Sequence, residues 1–321
     1  MSRPAALPLG LPLDLPTARG KKERNLPRYR GGGGFAGAKD CRQGAAAGIR
    51  RPERRRGPGA AGLDDLLRRL SPRDLRVLDT VAVHRFLTTT QLQAFVFAAH
   101  ASDLSAARTC RRVLRRLESW QLLERLDRRI GGLQAGSTSS IWLLTPAGQR
   151  LRNLHAGGGA LTRVREPGQR FVQHYLAVAD AHLALLGANR AAQLDLLQLE
   201  VEPACWRPYA GLGGSAELLK PDLYAVIATG QFEVHWFIEV DRATESMPTV
   251  VRQCRQYEAY RRTGSEQAAS GLFPYVLWVV PDDRRAGKLQ GALAAAHGLD
   301  RELFRITTPE RVLTLITGGI V

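Results

Sequence analysis

Three acidic side chains are spaced so that they could share a metal ion. Asp222 opens a predicted strand over 223–227, and Glu239 and Asp241 lie two residues apart in the next apolar run. Side chains two positions apart on a strand lie on one face, and a hairpin would bring Asp222 beside them. Mg²⁺ prefers oxygen ligands, and bound Mg²⁺ activates water for phosphodiester hydrolysis. The pattern predicts a candidate Mg²⁺ site with Asp222, Glu239 and Asp241 as its ligands.

The order of these residues resembles the PD-(D/E)-x-K nuclease superfamily. Pro221-Asp222 match the first part of its motif, and Glu239-Val240-Asp241 occupy the second. Gln253 and Tyr257 fit the Q-x-x-x-Y element of some members. The resemblance implies a restriction-endonuclease-like α/β fold. If the site is active, it implies catalytic roles for Asp222, Glu239, Asp241, Gln253 and Tyr257.

One position departs from the superfamily pattern. Asp241 stands where the lysine would orient water and stabilise developing charge, so it adds negative charge where the chemistry needs a cation. We therefore expect a nuclease-like domain without cleavage activity and with no certain cofactor. Two alternatives stay open: an active nuclease or nickase that uses Mg²⁺, and a structural role in which the carboxylates pair with Arg242 and Arg252.

A second pattern concerns arginine on a predicted helix over 105–120. Val113, Leu114 and Leu117 line one side, while arginines three and four residues apart line another. Arginine can form paired hydrogen bonds with phosphate and with guanine. The predicted contacts to double-stranded DNA are Arg108, Arg111, Arg112, Arg115 and Arg116, with Arg128 and Arg129 in a following hairpin loop.

The surrounding elements predict an α+β protein. Three helices begin near Ser71, Thr88 and Ser105, and two strand-like runs over 122–126 and 140–144 follow. This is the order of a winged helix-turn-helix, in which the third helix enters the major groove. We predict this domain over 63–153, a linker over 154–168, and the nuclease-like α/β domain over 169–321.

The charge is concentrated at the N-terminus. The 321 residues include 46 Lys and Arg and 30 Asp and Glu, a net charge of +16. Residues 1–62 contain 14 of those basic and 4 of those acidic residues, with no apolar periodicity. Such a segment cannot bury an apolar face, so we predict a disordered basic tail that binds DNA phosphates or is merely solvated.

Composition also excludes several classes of protein. No apolar run approaches the roughly 18 residues of a membrane span, so no membrane partner is expected. The four cysteines lack the close spacing of a zinc site, which favours reduced thiols. Together with the positive charge, these features predict a cytoplasmic, DNA-associated protein.

The whole layout resembles the replication-relaxation proteins of bacterial plasmids and integrative elements. The shared order runs from Leu70-Ser71-Pro72-Arg73-Asp74, through the helix that contains His174-Tyr175, to Lys220-Pro221-Asp222 and Glu239-Val240-Asp241-Arg242. The resemblance implies DNA binding in replication, relaxation or transfer, with a relaxase or replication initiator as a partner. A winged-helix transcriptional regulator is a further alternative. The oligomeric state is not predicted.

Overall fold

The computed structural model describes residues 60–99, 102–126, 140–157, 168–229 and 232–318. These residues belong to one compact unit, Arg55–Val321. Residues 1–59, most of the predicted basic tail, lie outside the described residues. The last residues of that predicted tail are instead helical, because the first helix begins at Ala60.

The N-terminal part consists of short helices and a small sheet. Its elements in chain order are α1 (Ala60–Arg69), α2 (Pro72–His84), β1 (Leu87–Thr88), α3 (Thr89–Val96), α4 (Asp103–Ser119), β2 (Leu123–Arg125), β3 (Ile141–Leu144) and α5 (Pro146–His155). The strands are antiparallel in the order β1-β3-β2. The helices enclose one apolar core around Leu78, Leu92 and Leu114.

Capping residues explain where these helices start. Ser71 and Asp74 form a reciprocal capping box at α2, and Thr88 and Gln91 form another at α3. Thr145 accepts from the backbone N–H of Gly148 at α5, with proline at the first helical turn. Each cap satisfies donors that a helix leaves free at its N-terminus. The starts at Ser71 and Thr88 confirm the predictions made from the sequence, and the third predicted helix begins at Asp103, two residues before the expected Ser105.

The C-terminal part is built on a five-stranded mixed sheet. Its elements are α6 (Gln169–Arg190), β4 (Asp195–Val201), β5 (Arg207–Ala210), β6 (Ala216–Leu219), β7 (Leu223–Thr229), β8 (Phe232–Val240), α7 (Met247–Arg262), α8 (Ser265–Ser270), β9 (Tyr275–Val279), α9 (Asp283–Ala295), β10 (Phe304–Thr307) and α10 (Val312–Thr317). The sheet order is β10-β9-β8-β7-β4, and β5 pairs with β6 separately. Strands β4, β7 and β8 are antiparallel, whereas β8, β9 and β10 are parallel.

Helices cover the two faces of this sheet. One apolar core joins α7 and α9 to one face, around Phe237, Tyr257 and Leu289. The other joins α6 and α10 to the opposite face, around Leu185, Trp236 and Ile316. The mixed α+β class is therefore confirmed. None of the described helices is long and apolar enough to cross a membrane.

Helix α6 packs against both parts of the chain. Its Val172 and Tyr175 share a cluster with Phe86 and Ile141, and Ala179 belongs to the N-terminal core. Its Leu185 belongs to the core against the large sheet. The division into domains at 63–153 and 169–321 remains a prediction. Helix α6 contributes side chains to the cores of both predicted domains.

Candidate functional site

A row of three carboxylates crosses the large sheet at the end of β4. Val201 pairs with Leu223, and Leu223 pairs with Ile238. One position beyond these pairs, Asp222 therefore lies between Glu202 on the β4 side and Glu239 on the β8 side. The backbone N–H of Glu202 donates to the Asp222 carbonyl oxygen over 3.1 Å. We call Glu202, Asp222 and Glu239 the carboxylate row.

A histidine from α6 contacts the centre of this row. His174 Nε2 lies 2.9 Å from Asp222 Oδ1, and the backbone N–H of Val240 donates to Asp222 Oδ2 over 2.8 Å. One ligand atom each from His174, Glu202 and Asp222 lies within 4.8 Å of the others. Both Asp222 oxygens are therefore held in place by groups from two other elements.

Burial and like charge raise the pKa of two carboxyl groups in the row. Burial raises the pKa of Glu239 well above its ordinary value, and the Asp222 charge adds to this. Burial also raises the pKa of Glu202, although a hydrogen bond from Tyr175 opposes the shift. Burial by itself would lower the pKa of His174, but the hydrogen bond to Asp222 and the nearby carboxylates raise it overall. The row thus favours bound protons or another cation.

The tyrosine of the predicted Q-x-x-x-Y element reaches this row. Tyr257 is buried and donates from its hydroxyl to Glu239 Oε1 over 2.5 Å. Burial and the Glu239 carboxylate raise the Tyr257 pKa well above its ordinary value, so the hydroxyl keeps its proton. Gln253 lies one turn earlier on α7. Its Oε1 atom is buried and has no hydrogen-bond partner among the described residues.

Asp241 is engaged elsewhere. It follows the last residue of β8, and its Oδ2 accepts from Arg285 Nε of α9 over 2.5 Å. Its Oδ1 accepts from the backbone N–H of Ala243 over 2.7 Å. The structure brings Asp222 and Glu239 together in one row, while Asp241 joins β8 to α9. Catalytic and metal-binding roles for Asp222, Glu239 and Asp241 remain predictions.

Sequence reasoning gave no role to two groups at this site. His174 comes from a helix 48 residues before Asp222, and Glu202 comes from the end of β4. The residue types alone do not reveal such a long-range contact. The position of Glu202 directly after an apolar strand is the one local signal, and it resembles that of Asp222 directly before one.

A second surface lies on α4. The side chains of Arg108, Arg111, Arg112 and Arg115 are exposed, while Cys110, Val113, Leu114 and Leu117 are buried on the opposite side. None of these four arginines forms an ion pair with another described residue. We call these four residues the α4 arginine face.

The other predicted DNA contacts differ from this face. Arg116 donates to the buried Asp74 carboxylate over 2.5 Å and also lies over the Trp120 ring. The positive charge of Arg116 therefore serves to neutralise Asp74 inside the protein. Arg128 and Arg129 lie outside the described residues. Strands β2 and β3 on either side of their loop form the predicted hairpin.

Comparison with known proteins identifies the chain. A family model described as replication-relaxation matches residues 78–276, which is more than half of the sequence. The chain belongs to the replication-relaxation family. Membership indicates a role in the replication or transfer of plasmids or mobile elements. No curated protein and no solved structure is significantly similar to this replication-relaxation protein.

The family match covers both candidate sites. It extends from Leu78 on α2 to Val276 on β9 and therefore includes the α4 arginine face and the carboxylate row. The resemblance inferred from the order of short motifs is confirmed at the level of the family.

Proposed function

We propose that this replication-relaxation protein binds double-stranded DNA of a plasmid or other mobile element through the α4 arginine face. It acts as an accessory factor in replication, relaxation or transfer and does not cut DNA. The observation that carries the proposal is four exposed arginines on one helix face without acidic partners among the described residues.

The elements around α4 support a winged helix-turn-helix. Helices α2, α3 and α4 precede the hairpin of β2 and β3, and β1 pairs with β3 to complete the small sheet. In that fold the third helix enters the major groove and the hairpin forms the wing. The buried side of α4 packs into the N-terminal core, so its opposite side can face DNA.

The chemistry of the α4 arginine face suits phosphate and base edges. Each guanidinium carries a permanent charge and several donors in a planar fork. Phosphate contacts position a protein on DNA, and a paired contact to guanine adds sequence preference. Four such groups within two turns of α4 match the repeated negative charge of the DNA backbone.

Two features of the C-terminal part support a nuclease-like domain without cleavage activity. The sheet places Asp222 and Glu239 next to each other, as the superfamily pattern requires. At the position of the superfamily lysine, Asp241 pairs with Arg285 and supplies no cation of its own. We propose that this part docks a protein partner such as a relaxase or replication initiator.

Fluorescence anisotropy with a labelled DNA duplex tests the DNA-binding surface. We expect the Arg111→Ala/Arg112→Ala variant to bind at least about tenfold more weakly. The slope of its affinity against salt concentration, on logarithmic axes, should fall by the amount expected for about two lost phosphate contacts. The control is Arg284→Ala/Lys288→Ala, which removes the same charge from exposed positions on α9. Equal weakening of both variants, or of neither, would contradict the proposal.

The same preparations, incubated with supercoiled plasmid in Mg²⁺, Mn²⁺ or EDTA, address cleavage. The expected result is a salt-sensitive complex and unchanged plasmid under every condition. Metal-dependent nicking that disappears in Asp222→Ala and Glu239→Ala variants would instead establish a nuclease. Protection of one operator without any effect on replication or transfer would favour a transcriptional regulator.

A further inference from the structure

We propose that His174, Glu202 and Asp222 bind one divalent transition-metal ion, with Mn²⁺ or Zn²⁺ as representatives of the class. The site shares Asp222 with the set predicted from the sequence but uses His174 and Glu202 in place of Glu239 and Asp241, and the inference does not depend on DNA binding. The three ligands come from α6, from the end of β4 and from the start of β7.

The distances between the donor atoms suit a single ion. One nitrogen and two oxygens, one from each residue, lie within 4.8 Å of one another. Ligand atoms about 2 Å from a shared metal lie within about 4 Å of one another, so only small side-chain movements are needed. His174 Nε2 now lies 2.9 Å from Asp222 Oδ1, and an ion would take the place of that hydrogen bond.

The ligands are held by other groups before any ion binds. The backbone N–H of Val240 fixes the second oxygen of Asp222 over 2.8 Å, and the backbone N–H of Glu202 donates to the Asp222 carbonyl oxygen. Such outer contacts orient metal ligands and tune their affinity. The His174 side chain is 34% exposed, whereas that of Asp222 is 9% exposed, so an ion can enter from the His174 side.

The donor set selects the class of metal. Imidazole suits Zn²⁺ and other transition-metal ions, and carboxylates suit Mn²⁺, whereas Mg²⁺ is held mainly through oxygen ligands and retained water. One imidazole and two carboxylates leave coordination positions for water on either a four-coordinate or a six-coordinate ion. An imidazole ligand is therefore the feature that separates this site from a magnesium site.

The two carboxylate ligands attract a cation to the site. Glu202 and Asp222 each carry a negative charge when ionised, and a bound ion would take the place of the proton between His174 and Asp222. Arg85 and Arg242 are nearby cations that act on Glu202 and His174, respectively. The Arg85 guanidinium lies over the Tyr175 ring, 4.9 Å from its centroid.

Mn²⁺ titration of the tag-free full chain, followed by electron paramagnetic resonance of the free ion, tests the proposal. We expect one bound Mn²⁺ per chain that a tenfold excess of Mg²⁺ does not displace. His174→Gln and Glu202→Gln should each weaken binding by at least about tenfold. Bound Mn²⁺ should also raise the melting temperature of the unaltered protein, because it joins α6 to the sheet.

Two matched variants make the test specific. His235→Gln alters a histidine that contacts the Tyr224 hydroxyl over 2.8 Å, and it should leave Mn²⁺ binding unchanged. Glu239→Gln should weaken binding less than His174→Gln. Absence of bound Mn²⁺, displacement by Mg²⁺, or loss in Glu239→Gln with normal binding in His174→Gln would overturn the proposal. Circular dichroism verifies that each variant is folded.

Discussion

Arg115 and Arg116 are neighbours on α4, but their side chains have different surroundings. Arg115 is exposed and belongs to the α4 arginine face, whereas Arg116 reaches Asp74 at the start of α2. The Asp74 side chain is 1% exposed and also accepts from the backbone N–H and the hydroxyl of Ser71. Arg116 therefore neutralises a buried carboxylate that also caps a helix.

Replacement of each arginine by methionine separates the two roles. We expect Arg116→Met to lower the free energy of unfolding by about 1–3 kcal/mol, because Asp74 loses its charged partner. We expect Arg115→Met to change it by less than about 0.5 kcal/mol, because an exposed arginine contributes little to folding. Urea denaturation measures both values, and equal losses would contradict this assignment.

Some members of the carboxylate row could be predicted from the sequence, and others could not. Asp222 and Glu239 were expected to be neighbours because strand alternation and a hairpin fix their relation, and the register confirms that they are. His174 and Glu202 were not assigned because their positions depend on how α6 packs on the sheet. Asp241 was grouped with Glu239 by alternation, but β8 ends at Val240 and Arg285 of α9 engages its carboxylate.

At the scale of elements, a buried histidine pair joins α2 to α6. His84 Nε2 lies 3.1 Å from His182 Nδ1, and the His84 ring stacks on Phe95 of α3. Burial lowers the pKa of His84 to about 4. Burial lowers the pKa of His182 well below its ordinary value, and His84 and Arg190 add to this shift. Both imidazoles are therefore neutral near pH 7, and one ring nitrogen donates to the other.

This pair predicts a loss of stability in mild acid. The unfolded chain takes up protons near pH 6.5 while the folded chain keeps His84 neutral, so stability falls as the pH decreases from about 6.5 towards 4. For His84 alone we expect a loss of roughly 2 kcal/mol between pH 7.5 and pH 5. Urea denaturation at several pH values measures it.

Glutamine variants identify the group responsible. His84→Gln should reduce this pH dependence, because glutamine does not titrate. His155→Gln, at an exposed position near the end of α5, should retain it in full. An unchanged pH dependence in His84→Gln would rule out the histidine pair as its source.

Elements with strong local signals are predicted from the sequence. The capping residues of α2 and α3 and the apolar runs of β3 and β8 indicate those elements. The predictions do not include α1, β1, β5, β6, α8, β10 or α10. Strands β1, β5 and β6 carry too little periodicity to be recognised, and β10 forms because β9 offers it a parallel edge.

At the scale of the whole molecule, α6 joins the N-terminal part to the large sheet. Phe86, in the segment between α2 and β1, packs with Phe171 and Tyr175 of α6 in edge-to-face contacts. A prediction from sequence treated the two parts as separate domains because residues 154–168 have a linker-like composition. Because α6 packs into the cores of both parts, we expect the two parts to unfold together.

Phenylalanine truncation tests this coupling. Phe86 is 1% exposed, so Phe86→Ala should lower the free energy of unfolding by about 3–5 kcal/mol. Tryptophan fluorescence and circular dichroism should report one shared transition. Phe232→Ala, at a position that is 75% exposed, serves as the control and should have little effect. Two separate transitions in the unaltered protein would show that the parts unfold independently.

The shared helix also bears on how such proteins can diverge. Ala179 of α6 lies in the N-terminal core, and Val178 beside it lies in the core on the sheet. Recombination in the segment before α6 would join that helix to the N-terminal part of another protein. The core residues of that part would be adapted to a different α6. The part that carries the α4 arginine face and the part that carries the carboxylate row should therefore be inherited as a single piece.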